Sequence, residues 1–452
     1  MAVSDVRVIL LASNDDVAAT LEEIEPTRIV TVALNASGET VQELTVRQRI
    51  PFGHKVAVRD IPQGKQVHRY GFPIGIATTE IKAGEHVHSH NMRSMLSSAS
   101  RPSTTATEMR SAEWVRQLVN RSLQAAGAHP EAADAMANVV TEAHLRGVET
   151  HGLRRLRPYV ARIRSGGVDG RARFEVRRHQ TLLKIDGRNA IGHYVASGAA
   201  RAVSDAARQY GIAIALVRAS NHFGFAGYYA TLIAEQGQLG VVTSNGQVCV
   251  APEGATRPLF SNNPLAIAAP TGRKDAFLEM DLAMSLTSRA HVIDAARSGI
   301  CLPQGWAQDA DGNPTCNPTA ALSGSLLAFG GGKGFALLVA LEALTGVLSG
   351  GAYADQVSSK EATPDAPEGT GHTMIAIDLQ KVMGVDLYSQ RLDDLFERLA
   401  RLPTSAQTEP TRYPGERRWK LRRQRLREGI PIEAGQLKDV LDLANELGVR
   451  TL

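Results

Sequence analysis

Three side chains have the types and spacing for proton and anion chemistry: His151, Arg155 and His222. His151 and Arg155 stand four residues apart in RGVETHGLRRL, on one face if a helix runs through Gly152. The planar fork of an arginine can bind both oxygens of a carboxylate at once. An imidazole beside it is placed to move a proton on the neighbouring carbon. A solvated basic helix end would read the same way. His222 lies in IAIALVRASNHFGFAGYYATLIAEQG, where an apolar strand ends in polar residues, a glycine-containing loop carries the imidazole, and a helix follows. Side chains at the carboxyl end of such a strand face the crevice where α/β sheets bind ligands, and imidazole titrates near neutral pH. A histidine capping the next helix satisfies the same pattern.

Other stretches are less specific. In LLAFGGGKGFALLVALEAL, a glycine run ending in Gly332 and Lys333 opens an apolar helix. That arrangement suits a phosphate cradle or simply a tight turn. It is not a Walker A, and no GxGxxG fingerprint occurs in the chain. In GEHVHSHNM, His86, His88 and His90 alternate. On a strand they would face one way about 7 Å apart, so two could chelate a metal and a third would have to bend toward it. A wet strand edge is the alternative, and no metal site is expected. The basic run RYPGERRWKLRRQRLREG carries no aromatic after its tyrosine except Trp419. It reads as a solvated helix face against an acidic neighbour, and no nucleic-acid partner is expected.

The elements that must position these residues follow from hydrophobic period. Residues 1–92 are short β-rich runs (RIVTVALN, KVAVRDI, PIGIATTEI, EHVHSHN) broken by turn residues, with one helix candidate, DDVAATLEEI. Ser/Thr/Pro-rich residues 93–107 have the composition of a linker. From 108 to 452, helical spacing comes first, then strands alternate with helices, and helices return at the C-terminus, the pattern of an α/β domain. The formal charge of +4 is small against 50 basic and 46 acidic side chains. Cys249, Cys301 and Cys316 lie far apart, which argues against a disulfide framework and for a reducing cytoplasm. Nowhere do eighteen apolar residues run uninterrupted, so no membrane span is expected.

RGVETHGLRR, RASNHFGFAGYYA, SNNPLAIAAP, GWAQDADGNPT, AFGGGKGFA, GHTMIAIDL and YPGER occur in this order. Together they resemble the non-Rossmann malate/L-lactate dehydrogenase family from about Glu108 to the C-terminus. The resemblance implies a homodimeric oxidoreductase that moves hydride between NAD or NADP and C2 of a 2-oxo or 2-hydroxy acid of malate, lactate, sulfolactate or sugar-acid type. It assigns proton transfer to His151 and His222 and the substrate carboxylate to Arg155, with Thr150, Asn245 and Asn263 also on the substrate. It places the cofactor on Asp281, Leu282, Ala283, Met284 and Ser285, on Gly332 and Lys333, and on Gly415 and Glu416. The chain departs from the usual pattern at His144, Glu149, Thr150, Glu253, Ser261, Asn262, Ala290 and His291, which points to an altered substrate pocket.

The front stretch GHKVAVRDIPQGKQVHRYGFPIGIATTEIKAGEHVHSHNM resembles the SAF domain of altronate and galactarate dehydratases. That implies an accessory lyase-type domain fused to the dehydrogenase, with a large dehydratase-type subunit as an expected partner. The alternative is a lyase subunit whose dehydrogenase half is degenerate.

Overall fold

The computed structural model describes residues 6–10, 12–34, 39–69, 72–94, 106–252, 254–360, 362–403 and 411–450. Most of the expected linker, and Glu253, lie outside them.

In the front part, alternation drives strand formation. Val30 and Val32 of Ile29–Leu34 point inward, while Ile29 is exposed. A six-stranded sheet runs in the order Glu39–Thr45, Ile29–Leu34, Val6–Leu10, Val17–Thr20, Lys55–Ala57, His86–Val87. A three-stranded sheet follows from Gln66–Arg69, Phe72–Ala77 and Met92–Ser94. Two expectations fail here. The helix candidate DDVAATLEEI is a strand at Val17–Thr20, held antiparallel between Val6–Leu10 and Lys55–Ala57. Its acids serve the neighbouring turns instead of a helix start: Asp15 accepts from the Ala12 N–H at 2.9 Å and Asp16 from the His68 N–H at 2.8 Å. Cross-strand pairing outweighs the local helix propensity of the alanines. HVHSHN is not one strand either. Only His86–Val87 pairs; His88 to Asn91 is a turn closed by the Asn91 side chain, which accepts from the His88 N–H at 3.0 Å and donates to His86 O at 2.9 Å.

The second part begins at Thr107–Arg110, which pairs antiparallel with Ile430–Glu433 and so closes the two ends of this part on each other. Helices Ala112–Ala125, Pro130–Leu145, Leu156–Ser165 and Ala434–Glu446 pack around one apolar core. Their starts are legible: Ser111 caps the first, and Pro130 follows the His129 cap of the second. The central seven-stranded sheet runs Glu175–His179, Leu182–Asp186, Ile212–Ser220, Thr370–Asp378, Gln238–Ser244, Leu265–Pro270, Phe277–Leu282. The pairing of Leu182–Asp186 with Ile212–Ser220 is parallel and is bridged by helix Gly192–Tyr210, as a parallel crossover requires. The other neighbours in this sheet are antiparallel, so this is no Rossmann sheet.

Helices Gly192–Tyr210 and Ala226–Ala234 share the core of this sheet with Tyr229, which is fully buried. At the first of them, backbone meets backbone. A Cβ on Gly192 would lie 2.0 Å from Asn221 O and 2.5 Å from His222 O, so only glycine lets the helix reach the loop that follows Ile212–Ser220. Gly192→Ala is expected to cost about 1–3 kcal/mol. Gly435→Ala, at a helical position with nothing within 4 Å, should stabilise by roughly 0.4–1 kcal/mol. Urea unfolding midpoints test both signs.

Candidate active site

The sheet and the first helices enclose a cleft of about 420 Å³ lined by His151, His222, Arg155, Thr150 and Asn245 together with Asp281 and Ala283. His151 ends a short 3-10 turn, Glu149–His151; after Gly152 a second turn, Leu153–Arg155, leads into the helix. The expected continuous helix is therefore broken at Gly152. A Cβ there would meet the His144 ring at 2.4 Å, and His144 Nε2 accepts from the Leu153 N–H at 2.9 Å, so the two turns are folded onto a buried imidazole. Arg155 still reaches the cleft, with its Nε donating to Thr150 O at 3.1 Å. That bond fixes the guanidinium and leaves its terminal nitrogens for an anion.

His222 follows the strand end as expected. Its ring stacks parallel to that of His151, with centroids 5.7 Å apart and planes 3° apart. Its Nδ1 meets the Tyr159 hydroxyl at 2.8 Å and accepts from the Gly224 N–H at 3.4 Å, and its backbone N–H donates to Glu368 Oε2 at 2.9 Å. One nitrogen thus has a fixed partner, so Nε2 is the nitrogen left for substrate. His151 Nδ1 is likewise engaged, 3.0 Å from Thr150 Oγ1. Burial first, then Arg155 and Lys360, pushes His151 down to about 3; burial, then Lys360 and Arg155, holds His222 well below the ordinary imidazole range. Both rings are therefore neutral at pH 7, and burial makes each of them a weak base in the empty cleft. Tyr159 is pushed the other way, above the ordinary phenol range, by burial, so it keeps its proton. Tyr159, Lys360 and Glu368 were not singled out by sequence reasoning. Tyr159 lies four residues beyond Arg155, one turn on, which was the only signal available.

The remaining predicted positions divide. Asn245 lines the cleft, but its amide is engaged: it donates to Glu342 Oε1 at 3.0 Å and Ala352 O at 2.9 Å and accepts from the Gly371 N–H at 2.7 Å. Asn263 is fully buried, donates to Glu342 Oε2 at 2.7 Å, and is not among the lining residues, whereas its neighbours Asn262 and Pro264 are. Both asparagines therefore brace the cleft floor through Glu342. In the DLAMS stretch, at and just beyond the end of strand Phe277–Leu282, Asp281 and Ala283 line the cleft, Leu282 is exposed, and Met284 and Ser285 are buried. Gly332, Lys333, Gly415 and Glu416 are not among the lining residues. The Gly415 turn acts through its successor: it packs on Phe277–Leu282, where Pro414 O accepts from the Glu279 N–H at 3.0 Å, and launches the helix that carries Arg418 into the cleft.

Helix Arg289–Ser298 presents Arg289, Ile293 and Arg297, spaced four apart, to the same cleft, with its capping Ser288. Two cations and a helix start suit a diphosphate. Among the described residues, no group of three or more His, Cys, Asp or Glu side chains is arranged to hold a metal ion. Nor, among the described residues, is any helix long and apolar enough to cross a membrane. The basic run is bound internally: Arg418 to Glu279 at 2.8 Å, Arg422 to Glu142 at 2.8 Å, and Arg425 to Glu149 at 2.8 Å.

Comparison with known proteins gives this arrangement relatives. Residues 110–441 match the malate/L-lactate dehydrogenase family, and residues 6–95 match the altronate/galactarate dehydratase SAF domain. An L-sulfolactate dehydrogenase of Methanothermobacter thermautotrophicus is 34% identical over 74% of this chain and 95% of its own. A (2R)-3-sulfolactate dehydrogenase (NADP(+)) of Chromohalobacter salexigens is 35% identical over 68% of this chain and 90% of its own. The solved malate dehydrogenase of Pyrococcus horikoshii superposes with a TM-score of 0.70 at 29% identity, covering 76% of this chain and 97% of that one.

Burial lowers the proton affinity of His144, to about 4, and of His193 and His372, to about 3, as it does for the active-site pair. In each case the unfolded state binds the proton more readily. The stability these neutral rings contribute is complete above pH 6.5 and is lost as pH falls from there toward 3–4. Thermal melts from pH 7.5 to 4.5 should show Tm falling below pH 6.5, with net proton uptake on unfolding.

Proposed function

Since the chain belongs to the malate/L-lactate dehydrogenase family and carries an altronate/galactarate dehydratase SAF domain in front, we propose that it is an NAD(P)-dependent oxidoreductase interconverting a 2-hydroxy acid and a 2-oxo acid, in a domain spanning 108–452 behind a SAF domain at 1–92. The observation that carries this reading is the parallel His151–His222 pair sharing one cleft with Arg155. Bound nicotinamide supplies or takes the hydride at C2. Arg155 holds the substrate carboxylate so that C2 is oriented, while His222 takes the hydroxyl proton during oxidation or returns it during reduction. Tyr159 fixes the ring of His222, and His151 stands parallel to it as the second imidazole. Arg289 and Arg297 would hold the cofactor diphosphate, with Asp281 and Ala283 lining the same cleft.

Malate, lactate, sulfolactate and sugar acids are the substrate types to test, with NAD and NADP both open. A homodimer is supported by the exposed apolar stripe Leu337, Val339, Leu344, Val347 and Leu348 around the Gly332–Glu342 helix. Unpaired cysteines fit a cytoplasmic setting. A large dehydratase-type subunit remains the partner that the SAF domain suggests. The alternative of a degenerate dehydrogenase half is disfavoured by the assembled imidazole pair.

NADH and NADPH oxidation with oxaloacetate, pyruvate, sulfopyruvate and keto-sugar acids tests the activity; no turnover with any of them would sink the reading. His222→Ala should lower kcat by roughly 10²–10⁴-fold. Arg155→Leu should raise KM for the acid, roughly ten- to hundred-fold. Unchanged turnover in both His151→Ala and His222→Ala would refute the assignment while leaving the family intact.

A further inference from the structure

The cleft holds more positive charge than one carboxylate requires. Arg154, Arg155, Arg289, Arg297, Arg418 and Lys360 line it, against the carboxylates of Asp281 and Glu368. Arg154 is paired with Asp294 at 3.2 Å, and Arg418 with Glu279 at 2.8 Å. Lys360 differs in how it is held. Its backbone N–H donates to Gln247 Oε1 at 3.4 Å, and Gln247 Nε2 donates back to Ser359 Oγ at 3.0 Å, which fixes the segment against the cleft.

Among the described residues, the one carboxylate paired with the Lys360 ammonium is Glu368, at 3.4 Å. That is longer than the 2.7–2.9 Å of a charge-assisted hydrogen bond, so the contact steers the ammonium without engaging its three donors closely. Glu368 is 1% exposed and Lys360 21%, so the pair is sheltered from solvent screening. The other oxygen of Glu368 accepts from the His222 N–H at 2.9 Å. One buried carboxylate thus bonds the backbone that carries His222 and faces the Lys360 ammonium. Lys360 also lines the small chamber that contains Tyr159, Asn221 and His222, so it stands at the substrate end of the cleft.

We propose that Lys360 is the second anion-binding group of this site, reading a carboxylate or sulfonate beyond C3 of a 2-oxo acid whose own carboxylate is held by Arg155. This rests on the 2-oxo-acid reading above. A lysine ammonium is a compact point charge and needs no bidentate geometry, so it accepts either acidic group. Burial is the main reason that His222 holds a proton weakly, and Lys360 adds to it; a substrate anion on Lys360 would offset that added part alone.

The test compares the full chain with Lys360→Met and Lys360→Arg, using oxaloacetate, sulfopyruvate and pyruvate, with the reduced cofactor varied independently. The ratio of kcat/KM for diacid over monoacid should fall roughly ten- to hundred-fold in Lys360→Met, through KM for the diacid, and be largely kept in Lys360→Arg. Lys360→Gln replaces the Met variant should that one not fold. A ratio that survives loss of the ammonium overturns this proposal alone. So does a loss expressed in KM for NADPH, which would put Lys360 on the cofactor's 2′-phosphate. A wild type that reduces no 2-oxo acid overturns the parent reading and this one with it.

Discussion

The buried carboxylate of Glu279 is the contact on which the second part of the chain turns. It lies on the edge strand Phe277–Leu282 with its side chain fully buried, and it faces Arg146 at 3.3 Å and Arg418 at 2.8 Å. Arg146 is itself buried and also bonds Glu142 at 2.8 Å, while its guanidinium lies 4.4 Å above the Trp419 ring. Charges this far from water persist only when every one is paired. Here the pairing joins three elements distant in sequence: the end of helix Pro130–Leu145, the sheet edge, and helix Glu416–Glu428. Gly415 makes the closure sterically feasible, because a Cβ there would lie 2.9 Å from Glu279. The basic run is thus a structural clamp, and the arginine it delivers to the cleft is a product of that clamp.

The same logic explains why departures from the family pattern leave the imidazole pair assembled. His144, one of the departures, is buried and neutral, and it accepts the Leu153 N–H beneath the two 3-10 turns. Glu149, another departure, pairs with Arg425, whose guanidinium also donates to His144 O. Both altered residues lie behind the site and hold the His151–Arg155 segment from the rear. A change in the backing need not change the chemistry in front of it.

Much of this was legible, and what was not had one cause. His151, Arg155 and His222 could be found because each sits in a local signal: a histidine and arginine one turn apart, or a loop at the end of an apolar strand. Lys360 and Glu368 carry no such signal. They come from a polar loop more than a hundred residues beyond His222 and meet it only because Thr370–Asp378 inserts at the centre of the sheet, beside Ile212–Ser220. The same blindness to long-range pairing misread DDVAATLEEI as a helix, where two flanking strands decide the outcome. Asn263, which the resemblance puts on the substrate, is buried and bonded to Glu342, while its neighbours Asn262 and Pro264 line the cleft.

The histidine-rich turn of the front domain shows the same effect at short range. His54, from a different loop, joins His86 with Nδ1 and Nε2 2.8 Å apart, and His88 lies 5.2 Å from His54 and His90 5.4 Å from His86 between ring centroids. Burial and the neighbouring imidazoles lower His86 to about 4, so the ring is neutral at pH 7. A hydrogen bond between two imidazoles needs one ring to donate and the other to accept, which the neutral forms provide. This cluster has no part in the hydride site: the residues lining the cleft begin at Val148. Whatever the front domain contributes is therefore made by residues other than those that line the cleft.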